Sequence, residues 1–305
     1  MLRRTILAGV TSTVIGAVAL NEPLRDYAEH LWSVIRLNDK PGLPVFGTVS
    51  AATAVVPSAS TTVASRTAQI MKFGFPGTAN VKVRENFVLS FDRRLRVATW
   101  VFEHFNRESL KKADGVDRSA CTFFEDPDEH PYFRPTLQDY LNSGFDRGHM
   151  AAAANHRSNQ KHMQDTFTLL NVAPQVGKGF NRDSWERLER YVRQLSRTYK
   201  EIYTCTGPLF LPRREGDGKL YVKYQVIGKN HVAVPTHFFK IVVGEGTDGF
   251  LDMEVFVMPN QVLDDSISLN AYYSTPEAVE RASGLLFFSS MSKDRLRCVN
   301  GVRTK

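Results

Sequence analysis

Twelve consecutive residues near the middle of the chain read Phe145-Asp146-Arg147-Gly148-His149-Met150-Ala151-Ala152-Ala153-Ala154-Asn155-His156. An acid, an arginine, a glycine and a histidine are adjacent at its start. A histidine exchanges a proton near neutral pH, and an arginine presents a planar fork of donors that suits a phosphate. Glycine lets the backbone bend or approach a ligand closely. Together these residues indicate hydrolysis of a phosphate ester, provided that partner groups lie elsewhere in the chain.

A second group of functional candidates follows at Asn181, Trp185 and Glu189. If a helix starts at Asn181, the three side chains lie within about 80° of one another, since an α-helix has about 3.6 residues per turn. Asn181 then presents an amide oxygen at the helix start, with the Glu189 carboxylate behind it. Such oxygen donors suit Mg²⁺, which keeps several waters and whose coordination shell is completed by substrate phosphate.

Residues typical of strands surround these groups. Residues 81–91 and 96–105, joined by Asp92-Arg93-Arg94, predict a β-hairpin. Further strands are predicted over residues 201–206, 221–227, 237–243 and 251–258, which Gly and Pro residues separate. Because no helical pattern lies between these closely spaced strands, we expect antiparallel pairing.

Two helices are predicted. Trp185, Leu188, Val192 and Leu195 recur at helical spacing, which predicts a helix from about residue 181 to 199 with Asn181 or Asp183 as its cap and Trp185 in the core. A second helix is predicted over residues 276–283, closed by Gly284. Helices combined with a central, mainly antiparallel sheet predict an α+β fold.

The N-terminal region differs from the rest of the chain. Arg3 and Arg4 precede an apolar run from residue 5 to 20, and no acid occurs before Glu22. This pattern favours a mitochondrial leader over residues 1–49, with a secretory signal and a retained membrane anchor as alternatives. Residues 50–65 carry no charge, so we interpret residues 50–66 as a processing or linker region. Residues 67–305 then form one domain that ends in a basic tail.

Charge and cysteine content narrow the class of protein only slightly. The 305-residue chain has a formal net charge of +7, and residues 1–66 contain six Lys or Arg and four Asp or Glu, which leaves +5 for the domain. A modest positive charge favours an anionic polymer as partner without requiring one. Cys121, Cys205 and Cys298 are widely spaced and odd in number, which argues against a disulfide framework and a structural zinc site.

The chain resembles the ββα-metal, sugar-nonspecific DNA/RNA nucleases, and especially their mitochondrial members. The resemblance covers about residues 69–287 and rests on the two groups described above and on residues 151–156, 171–175, 205–212, 221–228, 234–240 and 280–287. It implies the ββα-metal nuclease fold, a central mainly antiparallel sheet flanked by helices. One departure is visible, because the stretch between Gln175 and Asn181 is one residue longer than the family pattern. Gly177 and Gly179 could absorb that residue in a loop.

The resemblance also implies a role for each candidate residue. His149 matches the general base and Asn181 the single direct protein ligand of the metal, while Glu189 matches a carboxylate that reaches the metal through water. The residues expected against the substrate are Arg147, Asn171 and Gln175, and Asp146 is expected to support Arg147 rather than to act in catalysis. His104, His156, His162 and His237 have no chemical role in this scheme.

The implied activity is Mg²⁺-dependent hydrolysis of internal phosphodiester bonds in DNA and RNA, with Mn²⁺ able to substitute and with 5′-phosphate and 3′-hydroxyl products. Further implications are a homodimer, a protein inhibitor and contact of the leader with the inner mitochondrial membrane. The implied location is the intermembrane space, with release to the nucleus and DNA fragmentation during cell death, and a role in mitochondrial nucleic-acid turnover.

Alternatives remain open at the level of function. They are a nucleic-acid-binding protein without catalysis, a mitochondrial 5′ exonuclease of the same superfamily, and a secreted scavenging nuclease. Five arginines crowd the predicted helix and its surroundings, and they could face phosphate or form a solvated face paired with Glu186 and Glu189; they are Arg182, Arg187, Arg190, Arg193 and Arg197.

Overall fold

The structure, a computed structural model, describes residues 61–304. Its strands are Val81–Val83 (β1), Phe87–Asp92 (β2), Val97–Phe105 (β3), Asp146–His149 (β4), Val172–Gln175 (β5), Glu201–Leu209 (β6), Arg213–Arg214 (β7), Leu220–Tyr221 (β8), Val226–Ile227 (β9), Val232–Ala233 (β10), His237–Glu245 (β11), Leu251–Pro259 (β12), Leu296–Val299 (β13) and Val302–Arg303 (β14). Its α-helices are Thr61–Ile70 (α1), Leu137–Tyr140 (α2), Gln160–Asp165 (α3), Ser184–Leu195 (α4) and Pro276–Ser283 (α5).

Eight of these strands form the central sheet, in the order β1–β2–β3–β6–β11–β12–β13–β14. Neighbours pair antiparallel except β12 and β13, which are parallel. Strand β11 pairs over nine residues with β6, from His237 opposite Leu209 to Glu245 opposite Glu201, and over nine residues with β12. The predicted α+β class and the mainly antiparallel sheet are therefore confirmed.

Both faces of the sheet are covered. On one face, Val101 of β3 and Phe238 of β11 belong to the same buried cluster as Trp185 of α4 and Val172 of β5. On the other face, Phe102 packs against Phe288, with ring centroids 5.2 Å apart. Because successive strand residues point to opposite faces, the central strands bury side chains on both sides. The first of these layers is the one that carries the candidate site.

The predicted hairpin is present, but its first strand is divided. The backbone N–H of Arg84 donates to the carbonyl of Phe87, and this turn separates β1 from β2, which then pair with each other. The predicted strand over residues 221–227 was wrong, because residues 222–225 lie outside any strand. Their side chains are exposed, so no burial holds them in an extended conformation.

Strand β6 continues through Gly207 and Pro208, where a break was predicted. The pairing of β6 with β3 ends at Thr206, whereas its pairing with β11 extends to Leu209. Beyond Thr206 the strand therefore has a sheet neighbour on one side only, a position that tolerates the missing N–H of a proline.

Helix α4 begins at Ser184 rather than at about residue 181, and it ends at Leu195. Its buried stripe contains Trp185, Leu188 and Val192, as the spacing predicted. Helix α5 matches its prediction: the Thr275 side chain accepts from the N–H of Ala278, and Gly284 closes the helix with a φ of 72°. The predicted basic tail is part of the sheet, since it forms β13 and β14.

The predicted domain boundary at residue 67 lies inside α1. Arg66 of this helix donates to the His104 carbonyl of β3 over 2.7 Å and to Asn86 over 3.1 Å. Residues 1–60, on which the leader and most of the linker predictions fall, lie outside the described residues. Within residues 61–304, no helix is both long enough and apolar enough to cross a membrane.

Candidate active site

Strands β4 and β5 and helix α4 form a ββα unit against the central sheet. The two strands pair antiparallel, with His149 opposite Val172 and Asp146 opposite Gln175. Since side chains alternate along a strand, Arg147 and His149 share one face of β4, and Asp146 and Gly148 share the other. A turn over Gly177–Asn181 then connects β5 to α4.

A cleft of about 390 Å³ opens over this unit. It combines a histidine, an amide, four arginines and three carboxylates; its lining residues are Arg118, Phe123, Asp146, Arg147, His149, Ala152, Ala153, Ala154, Asn181, Arg182, Glu186, Glu189 and Arg193. Of the residues predicted for the site, the structure thus brings His149, Asn181, Glu189 and Arg147 together.

The His149 ring is half-buried between two aromatic rings, 5.2 Å from Phe123 and 4.7 Å from Phe167 between centroids. Its Nε2 is enclosed and has no hydrogen-bond partner among the described residues. Nδ1 is therefore the ring nitrogen through which His149 can meet a molecule in the cleft. Burial lowers the pKa of His149 to about 3, and the cation of Arg118 acts in the same direction. The imidazole is consequently neutral in the free protein.

The Asn181 side chain has a fixed orientation. Its Nδ2 donates to Oδ2 of Asp146 over 2.9 Å, which leaves its Oδ1 without a hydrogen bond from any described residue. The turn that carries Asn181 is wide, since the Asn181 N–H donates to the carbonyl of Val176, five residues back. Gly179 adopts a φ of 87° in this turn, a left-handed conformation that glycine adopts without steric cost.

Glu189 lies on α4, and its carboxylate forms no hydrogen bond or ion pair with the described residues. Burial raises the pKa of Glu189 to about 7, although Lys240 and Arg193 act against this shift. A carboxylate and an amide oxygen that lack partners suit a hard cation. Within residues 61–304, no cluster of three or more His, Cys, Asp or Glu could hold a metal. The oxygen atoms of Asn181 and Glu189 fit Mg²⁺, an ion that is bound by few protein oxygens and keeps several waters.

The arginines of the cleft differ in their partners. The Arg147 guanidinium lies 4.5 Å above the Phe123 ring, and that of Arg118 lies 5.9 Å from the Phe167 ring. Neither forms an ion pair with a described carboxylate, so both are available to an anionic ligand. Arg193 reaches the cleft with its side chain 15% exposed and lies 3.7 Å from Glu186.

Arg182, the fourth arginine of the cleft, and two arginines of α4 are paired with protein groups. Arg182 contacts Asp146, Arg190 contacts Glu186, and Arg187 donates to the backbone carbonyls of residues 265 and 267. The five arginines that sequence analysis treated as one surface therefore divide, and Arg182 and Arg193 are the two that line the cleft.

The structure does not bring Asn171 and Gln175 into the cleft. Asn171 is fully buried, and its amide accepts from the N–H of Ala151 and donates to the carbonyls of Ala151 and Thr166. It thus fixes the backbone that follows His149. Gln175 is also fully buried, and a Cβ on Gly148 would lie 2.1 Å from its side chain. Its side chain shares the face of Asp146 and Gly148, opposite to His149.

Two cleft residues were missed by sequence analysis. Arg118 and Phe123 lie in the long connection between β3 and β4 and reach the cleft through the tertiary fold. No periodicity or motif in that connection distinguishes them. The alanines 152–154, which lie within a quoted stretch, form part of the cleft wall because small side chains leave room for a ligand.

The remaining histidines that received no chemical role have structural contacts. His156 Nε2 lies 2.9 Å from Glu103, and His104 Nε2 lies 2.9 Å from Glu201. His162 contacts Glu85 at 2.9 Å, and His237 contacts the Thr236 hydroxyl at 3.0 Å. None of the four lines the cleft.

A ββα unit that presents a histidine, a free amide oxygen and unpaired arginines to one cleft defines a class of nuclease. The chain belongs to the DNA/RNA non-specific endonuclease family, whose model matches residues 66–294. The protein is therefore a non-specific DNA/RNA endonuclease, a hydrolase that acts on phosphodiester bonds.

Similarity to known proteins identifies the type of endonuclease. The chain is 55% identical over 219 residues to mitochondrial endonuclease G of Bos taurus, which is 72% of this chain and 72% of that protein. It is 48% identical over 239 residues to mitochondrial endonuclease G of Caenorhabditis elegans, 78% of each. A chain in the crystal structure of the EndoG/EndoGI complex matches with a TM-score of 0.78 and 53% identity, covering 82% of this chain and 100% of that chain. The enzyme is of the endonuclease G type.

Proposed function

We propose that this protein cleaves internal phosphodiester bonds of DNA and RNA, with His149 as general base and one Mg²⁺ held through Asn181. The observation that carries the proposal is that His149 and Asn181, from separate elements, line one cleft. An accessible imidazole nitrogen and a free amide oxygen face the same space, which is open enough for a phosphodiester.

His149 takes a proton from the attacking water at Nδ1, because its Nε2 is enclosed. The water oxygen forms a bond to phosphorus and the bond from phosphorus to the 3′ oxygen breaks. The departing 3′ oxygen takes a proton from water, which gives 5′-phosphate and 3′-hydroxyl ends. The neutral state of the free imidazole is the form that can accept this proton. The phosphate anion, once bound, favours the protonated imidazole and so assists the transfer.

Asn181 Oδ1 is the direct ligand in this proposal, and Glu189 reaches the ion through water. A bound Mg²⁺ supplies Lewis acidity and neutralises charge that develops on the phosphate. Mn²⁺ accepts the same oxygen donors and is expected to substitute. The Asp146 carboxylate accepts a hydrogen bond from Asn181 Nδ2 over 2.9 Å.

Arg147 and Arg118 bind the substrate phosphates, because both lie at the cleft without a carboxylate partner among the described residues. Phosphate contacts fix the position of a nucleic acid and carry no information on base sequence. The same contacts are available on DNA and RNA, which accounts for a sugar-nonspecific substrate range. Asn171 assists indirectly, by fixing the backbone next to His149.

The test is a nicking assay on supercoiled plasmid and a cleavage assay on RNA, each with Mg²⁺ and with EDTA. His149→Ala is expected to lower the cleavage rate by about 10²- to 10⁴-fold, the usual contribution of a general base. Asn181→Ala is expected to abolish the cleavage that requires Mg²⁺. His231→Asn serves as control, because His231 is exposed with a φ of 56° that asparagine tolerates. Full activity of His149→Ala would exclude the proposed base.

The same assay separates the alternatives. A nucleic-acid-binding protein without catalysis would leave the plasmid intact with and without Mg²⁺. A 5′ exonuclease would spare a covalently closed circle and degrade the linear form. The proposal requires conversion of the closed circle to the nicked form.

We further propose a mitochondrial location, since the matched endonuclease G relatives carry that location in their names. The finer expectation is residence in the intermembrane space, with the leader in contact with the inner membrane, release to the nucleus in cell death, and roles in DNA fragmentation and mitochondrial nucleic-acid turnover. Fractionation with protease protection tests it. Recovery of the protein from the medium would instead favour a secreted scavenging nuclease.

A homodimer and a protein inhibitor complete the proposed partners. Five apolar side chains along the segment from β8 to β9 are 38–51% exposed, namely Leu220, Tyr221, Val222, Tyr224 and Val226. Exposed apolar side chains grouped along one short stretch of chain mark a contact site, and we assign this stretch to contact with a second copy of the chain. Val222→Asp is expected to yield monomers in sedimentation velocity. An inhibitor is proposed because the matched solved chain belongs to an EndoG/EndoGI complex.

A further inference from the structure

The Asp146 carboxylate occupies the space between β4 and the turn before α4. Its Oδ2 accepts from Asn181 Nδ2 over 2.9 Å and from Arg182 Nε over 2.7 Å, and its Oδ1 accepts from Arg182 Nη2 over 2.5 Å. A Cβ on Gly177 would lie 3.0–3.1 Å from the carboxylate atoms. Asp146 is thus seated against the turn and anchored by a cation.

These contacts decide which atom of Asn181 faces the cleft. A side-chain amide ends in one oxygen acceptor and one nitrogen donor, and rotation by 180° about its last bond exchanges them. Only the oxygen can ligate a cation. An ionised carboxylate has acceptors and no donor, so its contact with Asn181 can be made by the nitrogen and never by the oxygen.

We propose that Asp146 is a positioning residue that locks the Asn181 amide with its oxygen toward the cleft, and so preorganises the metal ligand. The inference rests on the proposed metal site at Asn181. Without Asp146, the amide could turn either atom to the cleft, and the ion would have to select one orientation. Arg182 contributes by holding the carboxylate in the position from which it makes this contact.

Charge alone is the competing explanation, because any carboxylate near a cation attracts it. The variant Asn181→Asp distinguishes orientation of the amide from attraction by the charge of Asp146. A carboxylate at this position offers an oxygen in either orientation, so it gains nothing from a group that fixes orientation. Attraction by the charge of Asp146 would instead act equally whether residue 181 carries an amide or a carboxylate.

The experiment is a double-mutant cycle on the full-length protein, with Mn²⁺ as probe and free Mn²⁺ measured by electron paramagnetic resonance in the absence of substrate. We expect Asp146→Ala to weaken Mn²⁺ binding about tenfold, the lower end of the effect usual for groups that orient a ligand. In the Asn181→Asp background, the same change is expected to alter affinity by less than about threefold. If Asp146→Ala does not fold, as judged by circular dichroism, Asp146→Ser replaces it in both arms.

Asn181→Ala separates this inference from the function on which it rests. Unchanged Mn²⁺ binding by Asn181→Ala would overturn the metal site itself. Loss of binding in Asn181→Ala with wild-type affinity in Asp146→Ala would leave the site intact and overturn the positioning role. Equal losses from Asp146→Ala in both backgrounds would assign the effect to charge and would also overturn it.

Discussion

At the scale of the residue, the chemistry of this protein depends on how a few polar atoms are left without partners. Enclosure of Nε2 directs His149 to the cleft through Nδ1, and Asp146 leaves the Asn181 oxygen free by taking up its N–H₂ group. The Glu189 carboxylate has no hydrogen bond or ion pair with the described residues. Each of these groups is incomplete by itself, and a hydrated cation with a phosphate would satisfy all of them.

The environment of His149 predicts the pH dependence of cleavage. Because its pKa is lowered to about 3 in the free protein, the neutral base persists well below its ordinary pKa of about 6.5, and the acid limb of kcat/KM should lie below that pH. The bound phosphate anion raises the pKa, so the acid limb of kcat should lie at higher pH than that of kcat/KM. Initial rates across the acid and neutral range check both, and an acid limb of kcat/KM centred at or above the ordinary histidine pKa would contradict the prediction.

The position of Arg147 in the cleft predicts that its substitution changes the salt dependence of DNA binding. Arg147→Ala is expected to reduce the slope of log Kd against log salt by about one unit for double-stranded DNA, because one fewer phosphate contact releases one fewer counterion. Fluorescence anisotropy in EDTA measures binding without cleavage. Arg107→Ala is the control, since Arg107 is exposed and does not line the cleft. The same slope in all three proteins would exclude Arg147 as a phosphate ligand.

At the scale of the element, the turn between β5 and α4 determines where Asn181, the proposed metal ligand, lies. The spacing of Asn181, Trp185 and Glu189 predicted a helix from residue 181, yet α4 begins at Ser184. Asn181 still lines the cleft with Glu189, because the wide turn, stabilised by the bond from Asn181 N–H to the Val176 carbonyl, places the asparagine ahead of the helix. Periodicity located the buried stripe correctly, but it carries no information on a turn that precedes the first helical bond.

Gly179 provides a test of that turn. Its φ of 87° is unfavourable for residues with a side chain, and a Cβ would lie 2.7 Å from Cγ1 of Val262. Gly179→Ala is expected to lower the free energy of unfolding by about 1–3 kcal/mol and to weaken Mn²⁺ binding. Gly216→Ala is the matched control, because its Cβ would meet no atom within 4 Å. Urea unfolding measures the free energy of unfolding of both variants. Equal values for Gly179→Ala and Gly216→Ala would show that the turn does not require glycine at position 179.

At the scale of the whole molecule, a buried polar network joins the sheet to the site. Glu103 of β3 is 1% exposed, accepts from Asn155 Nδ2 over 3.0 Å and contacts His156 Nε2 at 2.9 Å. Asn155 in turn accepts from Arg193, a cleft residue, over 3.4 Å. Lys240 of β11 is 2% exposed and donates to Thr206. The central sheet therefore supports the segment that follows His149 through charged groups as well as apolar packing.

The environment of Glu103 predicts that the free energy of unfolding falls in acid. Burial favours its neutral form, but the hydrogen bond with His156 and the charge of Lys240 outweigh burial and lower its pKa in the folded state. The stabilisation is therefore complete above the ordinary carboxyl pKa and is lost as the pH falls through the lower folded value. Glu103→Gln is expected to cost about 3 kcal/mol near neutral pH, since it leaves buried groups uncompensated, and the difference from wild type should shrink in acid.

Urea unfolding near neutral pH and at about pH 4 or lower, around the ordinary carboxyl pKa, measures this difference. Glu108→Gln is the control, because Glu108 pairs with Lys111 at the surface with its side chain 74% exposed, where such pairs contribute little. A difference between wild type and Glu103→Gln that stays constant with pH would show that ionisation of Glu103 does not stabilise the fold.

The amino-acid sequence alone was enough to predict the fold class, most of the sheet, the buried stripe of α4, and His149, Asn181 and Glu189 as neighbours in one site. It could do so because alternation, helical spacing and local motifs are properties of adjacent residues. Tertiary structure alone decided that Arg118 and Phe123 complete the cleft, that Asn171 and Gln175 lie outside it, and that β6 passes through Pro208. Each of these depends on contacts between residues far apart in the chain, where burial and unpaired hydrogen-bonding groups are set by the folded neighbours and not by local sequence.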